Sequence, residues 1–353
     1  MVTEMISRRL ALLPCKGGSG DYQIQIKSIL EEKYRVVDYF DILSGYYDLM
    51  SIDVIYLNWI EDGLDDYQKK LIIKARLLGK KVIWTFHNKV SHESKSVEKN
   101  IDNIRFLAKY SNKIIILSKK SINVIKQYCP KLNLKKLHYV PHPNFIGEYG
   151  NIYKSDSVES NGFKKGNFSI GNDDFVFGCF GNIRPYKNIE MAISAFSELK
   201  LPNSKLIIIG DALGNNEYLD TLSQNIQKKD SVLIWDKSIY DFEMDYYMGL
   251  TDAVILPYKY RSSMNSGVMI AAFSCRRTTI SSSIEMVDEF PRENMYTYDY
   301  KTDEEHLAAL KESMLCAYND GKKACHQKGL QMYEYVKNNN SKAKVRERLF
   351  SIL

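Results

Sequence analysis

Short apolar segments recur along this 353-residue chain, and longer stretches with helical periodicity separate them. A strand buried on both faces is apolar throughout, and parallel strands are joined by helices that cross over the sheet. The pattern therefore predicts an α/β fold of doubly wound parallel sheets. The strands predicted in the first half are 10–13, 35–39, 54–58, 81–85, 113–117 and 136–140. Those predicted in the second half are 175–180, 205–209, 232–235, 253–256 and 278–281.

A stretch rich in Gly, Asn, Ser and Lys separates the two series of strands at residues 147–174. It contains few apolar residues and is therefore typical of a connection. A chain of this length corresponds to about two domains of ~150 residues each. We expect a first Rossmann-like domain at 1–150 and a second at 151–340, with a ligand in the cleft between them.

The apolar runs of the sequence are short. Segments such as 268–273 are far shorter than the ~20 residues of a membrane-spanning helix. The apolar run at 10–13 is too short for the apolar core of a signal peptide, so we expect a cytoplasmic protein.

The six cysteines form no Cys-x-x-Cys pair. The prolines on both sides of His142 prevent a helix that would place His142 and His138 on one face. We expect reduced thiols and no metal site.

Positive charge is concentrated in the first half of the chain. Residues 1–150 contain 24 of the 49 Lys and Arg and 16 of the 43 Asp and Glu, which gives them a net charge of +8 and leaves −2 for the rest. Such a half could face nucleic acid, an anionic membrane or an anionic ligand. A solvated lysine-rich surface is the alternative interpretation.

Two loops that follow predicted strands of the first half could contact a ligand, because open α/β sheets bind ligands at the carboxyl ends of their strands. Gly17 and Gly18 follow the first strand and would let the backbone approach an anion, although the loop lacks both the Walker A and the Gly-x-Gly-x-x-Gly pattern. A plain turn is the alternative. His87 leaves the fourth strand and suits sugar hydroxyls or proton transfer, unless it is a structural histidine.

Two loops of the second half suit a diphosphate. Arg184 and Lys187 follow a buried strand and precede a predicted helix at 189–198, where a planar fork and a point charge lie beside a helix N-terminus. Ser266 and Gly267 precede an apolar helix whose free amides would favour phosphate oxygens. Solvated cations in the first case and an ordinary Ser N-cap in the second are the alternatives.

Several motifs together resemble the family 4 retaining glycosyltransferases of the GT-B fold. The order "GCFGNIRPYKN", "KLIIIGDA", "TDAVILPY" and "NSGVMIAAFSC" is similar to their C-terminal domain. The segments "KGGSG", "TFHN", "IIILSKK" and "YVPHPNF" fit their N-terminal, acceptor-side domain. The resemblance covers almost the whole chain and implies two Rossmann-like domains that face a cleft.

The resemblance also implies roles for the candidate residues. Arg184 and Lys187 would hold the diphosphate of a nucleotide sugar, His87 would contact the donor sugar, and Gly17 and Gly18 would lie near donor and acceptor. A last helix at 341–353 would pack back on the first domain, and its apolar residues lie at helical spacing. The further residues implied at the donor site are Asn182, Asn265, Ser266, Gly267 and Val268. Those implied in the region of the nucleotide base are Lys237, Ser238 and Ile239.

One feature of the family is missing. Many members carry two glutamates eight positions apart around the helix that follows the fourth motif, whereas residues 264–272 of this chain contain neither. A subset of the family has the Ser-Gly-Val version found here. Recognition of the sugar and the ribose must therefore involve other residues.

These observations predict a metal-independent retaining hexosyltransferase without a cofactor, because preorganised cations and amides can stabilise the departing nucleotide. A UDP-sugar is favoured over GDP-mannose as donor. The acceptor would be a glycan or a polyprenyl-linked sugar of surface polysaccharide biosynthesis, and no nucleic acid is expected as a partner. The alternatives are a noncatalytic sugar-nucleotide or glycan binding protein and a UDP-N-acetylglucosamine epimerase. The cations predicted to meet an anionic membrane surface are Lys95, Lys99, Arg105 and Lys109.

Overall fold

The computed structural model divides the chain into two compact units. The first comprises Met1–Pro143 and Asn340–Leu353, and the second comprises Asn144–Asn339. The division falls seven residues before the boundary that we expected at 150. The residues that the structure describes are 8–15, 22–61, 63–89, 96–148, 170–226, 231–239, 241–260 and 262–353.

The first unit is built on a six-stranded sheet in which every pair of neighbouring strands is parallel. The strand order is β2-β1-β3-β4-β5-β6, and β1, β3 and β4 are almost entirely buried. Burial on both faces explains why the sequence of each strand is apolar throughout. The strands are β1 (Arg9–Leu13), β2 (Arg35–Asp38), β3 (Val54–Asn58), β4 (Lys81–Phe86), β5 (Lys113–Ile116) and β6 (Leu137–Tyr139).

The helices of the first unit connect these strands. The third of them begins with a capping box. The Asp65 side chain accepts from the backbone N–H of Gln68, and the Gln68 side chain accepts from the backbone N–H of Asp65. It ends two residues before Gly79, which has φ +71°. The helices are α1 (Tyr22–Glu31), α2 (Tyr39–Leu43), α3 (Asp66–Leu77), α4 (Val97–Tyr110) and α5 (Ser121–Tyr128).

The second unit is built on a second parallel six-stranded sheet, with the order β12-β11-β10-β7-β8-β9. Its strands are β7 (Phe175–Phe180), β8 (Ser204–Gly210), β9 (Val232–Asp236), β10 (Ala253–Leu256), β11 (Thr278–Ser282) and β12 (Tyr296–Tyr298). Its helices are α6 (Ile189–Leu199), α7 (Asn216–Gln224), α8 (Asp241–Gly249), α9 (Gly267–Ser274) and α10 (Asp303–Asn339). Helix α10 is kinked at Gly321, where φ is +79°.

The last helix, α11 (Lys342–Ile352), belongs to the first unit. Its residues Val345 and Leu349 are fully buried in the core formed with β1, β3 and α1. The side-chain amide of Asn340 donates to the His142 carbonyl at 2.8 Å, and Lys81 Nζ donates to the Leu353 carbonyl at 2.8 Å. Apolar burial and polar contacts at both ends therefore hold this helix on the unit.

Several details differ from the sequence prediction. Residue 39 begins α2 and does not end β2, because the Asp38 side chain accepts from the Phe40 amide and caps a helix. Strand β12 was not predicted, since it has three residues and two of them are only partly buried. Lys136 lies in a short 3₁₀-helix and not in β6. Of the connecting stretch at 147–174, positions 149–169 lie outside the described residues.

No helix among the described residues is long and apolar enough to cross a membrane.

We predict that Leu349→Ala destabilises the first unit by about 2 to 5 kcal/mol, because the substitution leaves a cavity under α11. Urea unfolding followed by circular dichroism measures the change. Arg348→Ala is the matched control, since Arg348 is exposed on the same helix and its loss should cost less than about 0.5 kcal/mol. Equal midpoints for the two variants would show that α11 contributes no packing energy.

Candidate functional site

The strand order of the second unit marks where a ligand can bind. Strands β7 and β10 are neighbours at the centre of the sheet, and the order continues from β7 to β8 and β9 on one side and from β10 to β11 and β12 on the other. The crossover helices diverge at such a switch point and leave a crevice beyond the carboxyl ends of the two strands. The loops after Phe180 and Leu256 therefore form the candidate site.

Two glycines bring the loops after β7 and β8 into close contact. Gly181 has φ +78°, a conformation that L side chains rarely adopt. A Cβ atom on Gly210 would lie 2.1 Å from the Gly181 carbonyl oxygen, so only glycine fits there. A Cβ on Gly181 would in turn lie 2.9 Å from Lys187 Nζ and 3.3 Å from a methyl carbon of Val268. The absence of these side chains keeps backbone and cation close together.

Lys187 is the buried cation of the site. It lies in a 3₁₀-helix, Pro185–Lys187, and only 8% of its surface is exposed. Its Nζ donates to the Phe180 carbonyl at 3.0 Å. Burial lowers the pKa of Lys187 to about 8, because the charged form loses its hydration. The structure therefore excludes the interpretation of Lys187 as a solvated surface residue.

Arg184 is partly exposed and precedes the same 3₁₀-helix. Asp211, which follows β8, lies close enough for its pKa to respond to this guanidinium. The pKa of Asp211 is lowered mainly by hydrogen bonds from Ser238 Oγ at 2.5 Å and the Leu213 amide at 2.6 Å, and additionally by Arg184. Our sequence analysis did not select Asp211, although its position in "GDA" directly after a strand was a usable signal.

Helix α9 points its N-terminus at the same edge of the sheet. The Ser266 side chain accepts from the Met269 amide at 3.1 Å and is 2.6 Å from the Tyr258 hydroxyl, and the Ser266 amide donates to Met286 Sδ at 3.4 Å. Ser266 is thus an N-cap whose own amide is already engaged. The amides of Gly267 and Val268 have no acceptor among the described residues, and they are the donors that an anion could use.

The remaining residues predicted at the donor site lie on the surface of the second unit. The Lys237 amide donates to the Gly210 carbonyl at 2.9 Å, which links the loop after β9 to the glycine contact. Lys237 and Ser238 are exposed and Ile239 is partly buried. Asn182 is exposed and Asn265 is partly buried. Contacts therefore join the loops after β7, β8 and β9 and the start of α9 into one surface.

A buried polar network that the sequence did not reveal supports this surface. Asn188 has φ +57° and its side-chain amide is 3.2 Å from His306 Nδ1, while His306 Nε2 is 2.9 Å from the Tyr298 hydroxyl. Burial lowers the pKa of His306 to about 4, so the imidazole is neutral at pH 7. The network fixes the residue that joins Lys187 to α6. Asn188 and His306 are 118 residues apart in sequence, and no local pattern connects them.

His87 in the first unit is buried at the carboxyl end of β4. Its Nε2 is 3.0 Å from the Asn58 side-chain oxygen, and Asn58 Nδ2 donates to the Leu13 carbonyl at 3.3 Å. Burial holds the pKa of His87 well below its usual range, and the nearby His142 lowers it further. His87 is therefore a neutral group. Gly17 and Gly18 lie outside the described residues.

Comparison with known proteins agrees with this architecture. Residues 162–327 match the model of the family described as glycosyl transferases group 1. None of the curated protein sequences matches the chain. HepE of Anabaena, in a complex with UDP-glucose, is 14% identical over 98% of each chain with a TM-score of 0.72. The sucrose-phosphate synthase of Thermosynechococcus elongatus is 12% identical over 98% of each chain, with a TM-score of 0.76.

A more distant similarity extends to the α,α-trehalose 6-phosphate synthase of Burkholderia multivorans. It is 9% identical, covers 93% of this chain and 77% of that chain, and has a TM-score of 0.62. Such identities establish the fold, whereas the family match rests on the second unit. The fold is that of the GT-B glycosyltransferases, and the second unit contains the segment that matches the glycosyl transferases group 1 family.

Proposed function

We propose that this glycosyltransferase moves a sugar from a nucleotide-diphosphate sugar to a glycan or lipid-linked acceptor in surface polysaccharide biosynthesis, with retention of configuration. The observation that carries the proposal is the arrangement at the switch point of the second unit. There a buried lysine, a glycine loop and two free helix amides lie at one edge of the sheet. A diphosphate is the anion that such a set of donors suits.

The site contains three kinds of hydrogen-bond donor that a diphosphate could use. Lys187 offers a charge held by the Phe180 carbonyl, the amides of Gly267 and Val268 offer neutral donors, and Arg184 offers a planar fork near Asp211. Charge grows on the leaving phosphate oxygen as its bond to the sugar breaks. Donors fixed in advance stabilise that charge without reorganisation.

Retention without a carboxylate nucleophile is compatible with transfer on one face of the sugar. In this step the bond between the anomeric carbon and the phosphate oxygen breaks. The acceptor hydroxyl oxygen bonds to the anomeric carbon, and its proton passes to the leaving phosphate. The neutral His87 cannot supply a positive charge, so its proposed part is a hydrogen bond to the donor sugar.

A UDP-sugar is the donor that we favour over GDP-mannose. The similar HepE structures contain UDP-glucose, UDP with glucose, and UDP. The backbone after β9, at Lys237, Ser238 and Ile239, is the proposed contact for the base. The Lys237 amide already donates to the Gly210 carbonyl, so the proposed backbone donors to the base are the amides of the other two residues.

We predict that Arg184→Ala and Lys187→Ala each weaken UDP binding and slow UDP-glucose hydrolysis about ten- to a hundred-fold. Each substitution removes a charge-assisted hydrogen bond worth about 1.5 to 3 kcal/mol. Isothermal titration with UDP and a hydrolysis assay with UDP-glucose measure the two effects.

We also predict that UDP raises the melting temperature of the wild type more than GDP, ADP or TDP does, which a thermal-shift assay with the four nucleotides measures.

Lys311→Ala is the control for the titration and hydrolysis experiments, because Lys311 pairs with Glu198 at 2.8 Å on the surface of α10. It should leave UDP binding unchanged.

The affinity of the wild type for UDP should fall as the pH rises through about 8, because Lys187 loses its proton there when no UDP is bound. The affinity of Lys187→Ala should not show this decline. If Arg184→Ala and Lys187→Ala both bound UDP with wild-type affinity, the assignment of these residues to the diphosphate would be wrong.

We further propose that transfer needs no divalent cation, because fixed cations and amides take the place of a metal at the diphosphate. Hydrolysis of UDP-glucose should then proceed at the same rate in EDTA and in Mg²⁺ or Mn²⁺. The comparison is made on one protein sample after dialysis against chelator. Activity that depends strictly on added metal would favour another class of transferase.

The first unit is the proposed contact with an anionic membrane surface. Lys99, Arg105 and Lys109 are exposed on α4, and the latter two line a cavity of about 570 Å³ together with Lys131 and Lys136. Arg105 pairs with Asp102 at 3.2 Å, which reduces its share of the attraction. Ile104 and Leu107 on the same helix are buried, so the proposed attraction is electrostatic. Lys95 lies outside the described residues.

We predict that the protein floats with liposomes that contain anionic lipid and that salt weakens this binding. Lys99→Glu combined with Lys109→Glu should release most of the bound protein, because each cation near the surface is worth about 1 kcal/mol. Lys311→Glu in the second unit is the charge-matched control. Equal recovery in the soluble fraction with and without anionic lipid at low salt would contradict the proposal.

A further inference from the structure

Trp59 is the exposed member of an otherwise buried segment. All eight residues from 54 to 61 are described, and seven of them are buried. Trp59 is 38% exposed, although its neighbours Asn58 and Ile60 are 1% and 3% exposed. Within this segment Trp59 is therefore the one residue that reaches the surface.

The backbone turns this side chain outward. Trp59 has φ +47°, a left-handed conformation that is uncommon for residues other than glycine, asparagine and aspartate. Such a conformation costs free energy and persists where the surrounding structure holds it, often at functional sites. The buried neighbours on both sides supply that restraint. The strain thus accompanies an exposed ring.

The ring itself is held rigidly. It stacks on the His87 imidazole with 4.1 Å between ring centroids and an interplanar angle of 18°. The Tyr22 ring lies nearly perpendicular to it, with 5.7 Å between ring centroids and an interplanar angle of 81°. Two aromatic neighbours therefore hold an indole that is still partly exposed to solvent.

The position of Trp59 in the fold points to a ligand. It follows β3, and the order β2-β1-β3-β4 makes the carboxyl ends of β1 and β3 the switch point of the first unit. The hydrogen bond from Asn58 to the Leu13 carbonyl joins these two strand ends. The indole therefore lies where a doubly wound sheet leaves its crevice.

We propose that Trp59 is a stacking platform for a pyranose ring of the acceptor. The C–H groups on one face of a pyranose form an apolar patch that packs on an aromatic face, while the hydroxyls at its rim stay hydrogen-bonded. Trp59 is then a positioning residue that orients the acceptor from the first unit. This inference rests on the proposed function, because it assumes that the acceptor is a carbohydrate.

The test uses three probes, methyl α-D-glucopyranoside, methyl α-D-galactopyranoside and methyl α-D-mannopyranoside. Saturation-transfer-difference NMR on the full-length protein should show binding of at least one probe, with the strongest saturation at the ring C–H protons of one face. Trp59→Phe should weaken that binding about 2- to 12-fold, and Trp59→Ala should weaken it further. Tyr46→Ala is the control, since Tyr46 is an aromatic residue of the same unit that is 77% exposed.

UDP titration separates this inference from the proposed function. Trp59→Ala should bind UDP as tightly as the wild type, which also shows that the variant is folded. If UDP binds but no glycoside binds the wild type, or if Trp59→Ala binds the glycosides normally, the platform is wrong and the proposed function stands. Weaker binding of UDP-glucose by Trp59→Ala together with unchanged binding of the glycosides would assign the indole to the donor site and overturn the acceptor assignment. Failure of the wild type to bind UDP would refute the proposed function itself.

Discussion

The second unit depends on one close backbone approach, that of Gly210 to the carbonyl of Gly181. A single methyl group at Gly210 would lie 2.1 Å from that oxygen. The contact sets the path of the loop after β7, and this loop leaves space for Lys187 Nζ beside Gly181 and for the carbonyl of Phe180 that accepts from it. A buried amine needs such an acceptor, because an unpaired buried charge is very costly. The cation therefore depends on the glycines, and the proposed diphosphate site depends on the cation.

The apolar runs predicted the strands well because central parallel strands are buried on both faces. Val54–Asn58, Phe175–Phe180 and Ala253–Leu256 have the predicted bounds. Strand β12 escaped prediction because three partly polar residues at a sheet edge give no run. Tyr39 was assigned to a strand because hydrophobicity cannot show that Asp38 caps a helix. Local patterns thus reveal the sheets, and capping contacts decide where their strands end.

The candidate site was predictable where chemistry is local in sequence. A cation beside a helix start, as at Lys187, and a serine before an apolar helix, as at Ser266, can both be found in a single sequence. What could not be found are the contacts that decide their state. The Ser266 amide donates to Met286 Sδ, 20 residues away, and Asn188 contacts His306, which is 118 residues away. Only the fold shows which donors are left for a ligand.

Net charge is a poor guide to the charge of the two candidate sites. The first 150 residues carry +8, yet the three side chains described around Trp59 at the ends of β3 and β4 are neutral, because burial keeps His87 uncharged and Asn58 and Trp59 carry no charge. The rest of the chain carries −2, yet its switch point holds Lys187 and Arg184. Desolvation explains the difference, since a buried charge persists only where an acceptor such as the Phe180 carbonyl is provided. The proposed acceptor platform requires a neutral aromatic surface and the proposed diphosphate site requires fixed cations, and burial decides which of the two each unit can present at its strand ends.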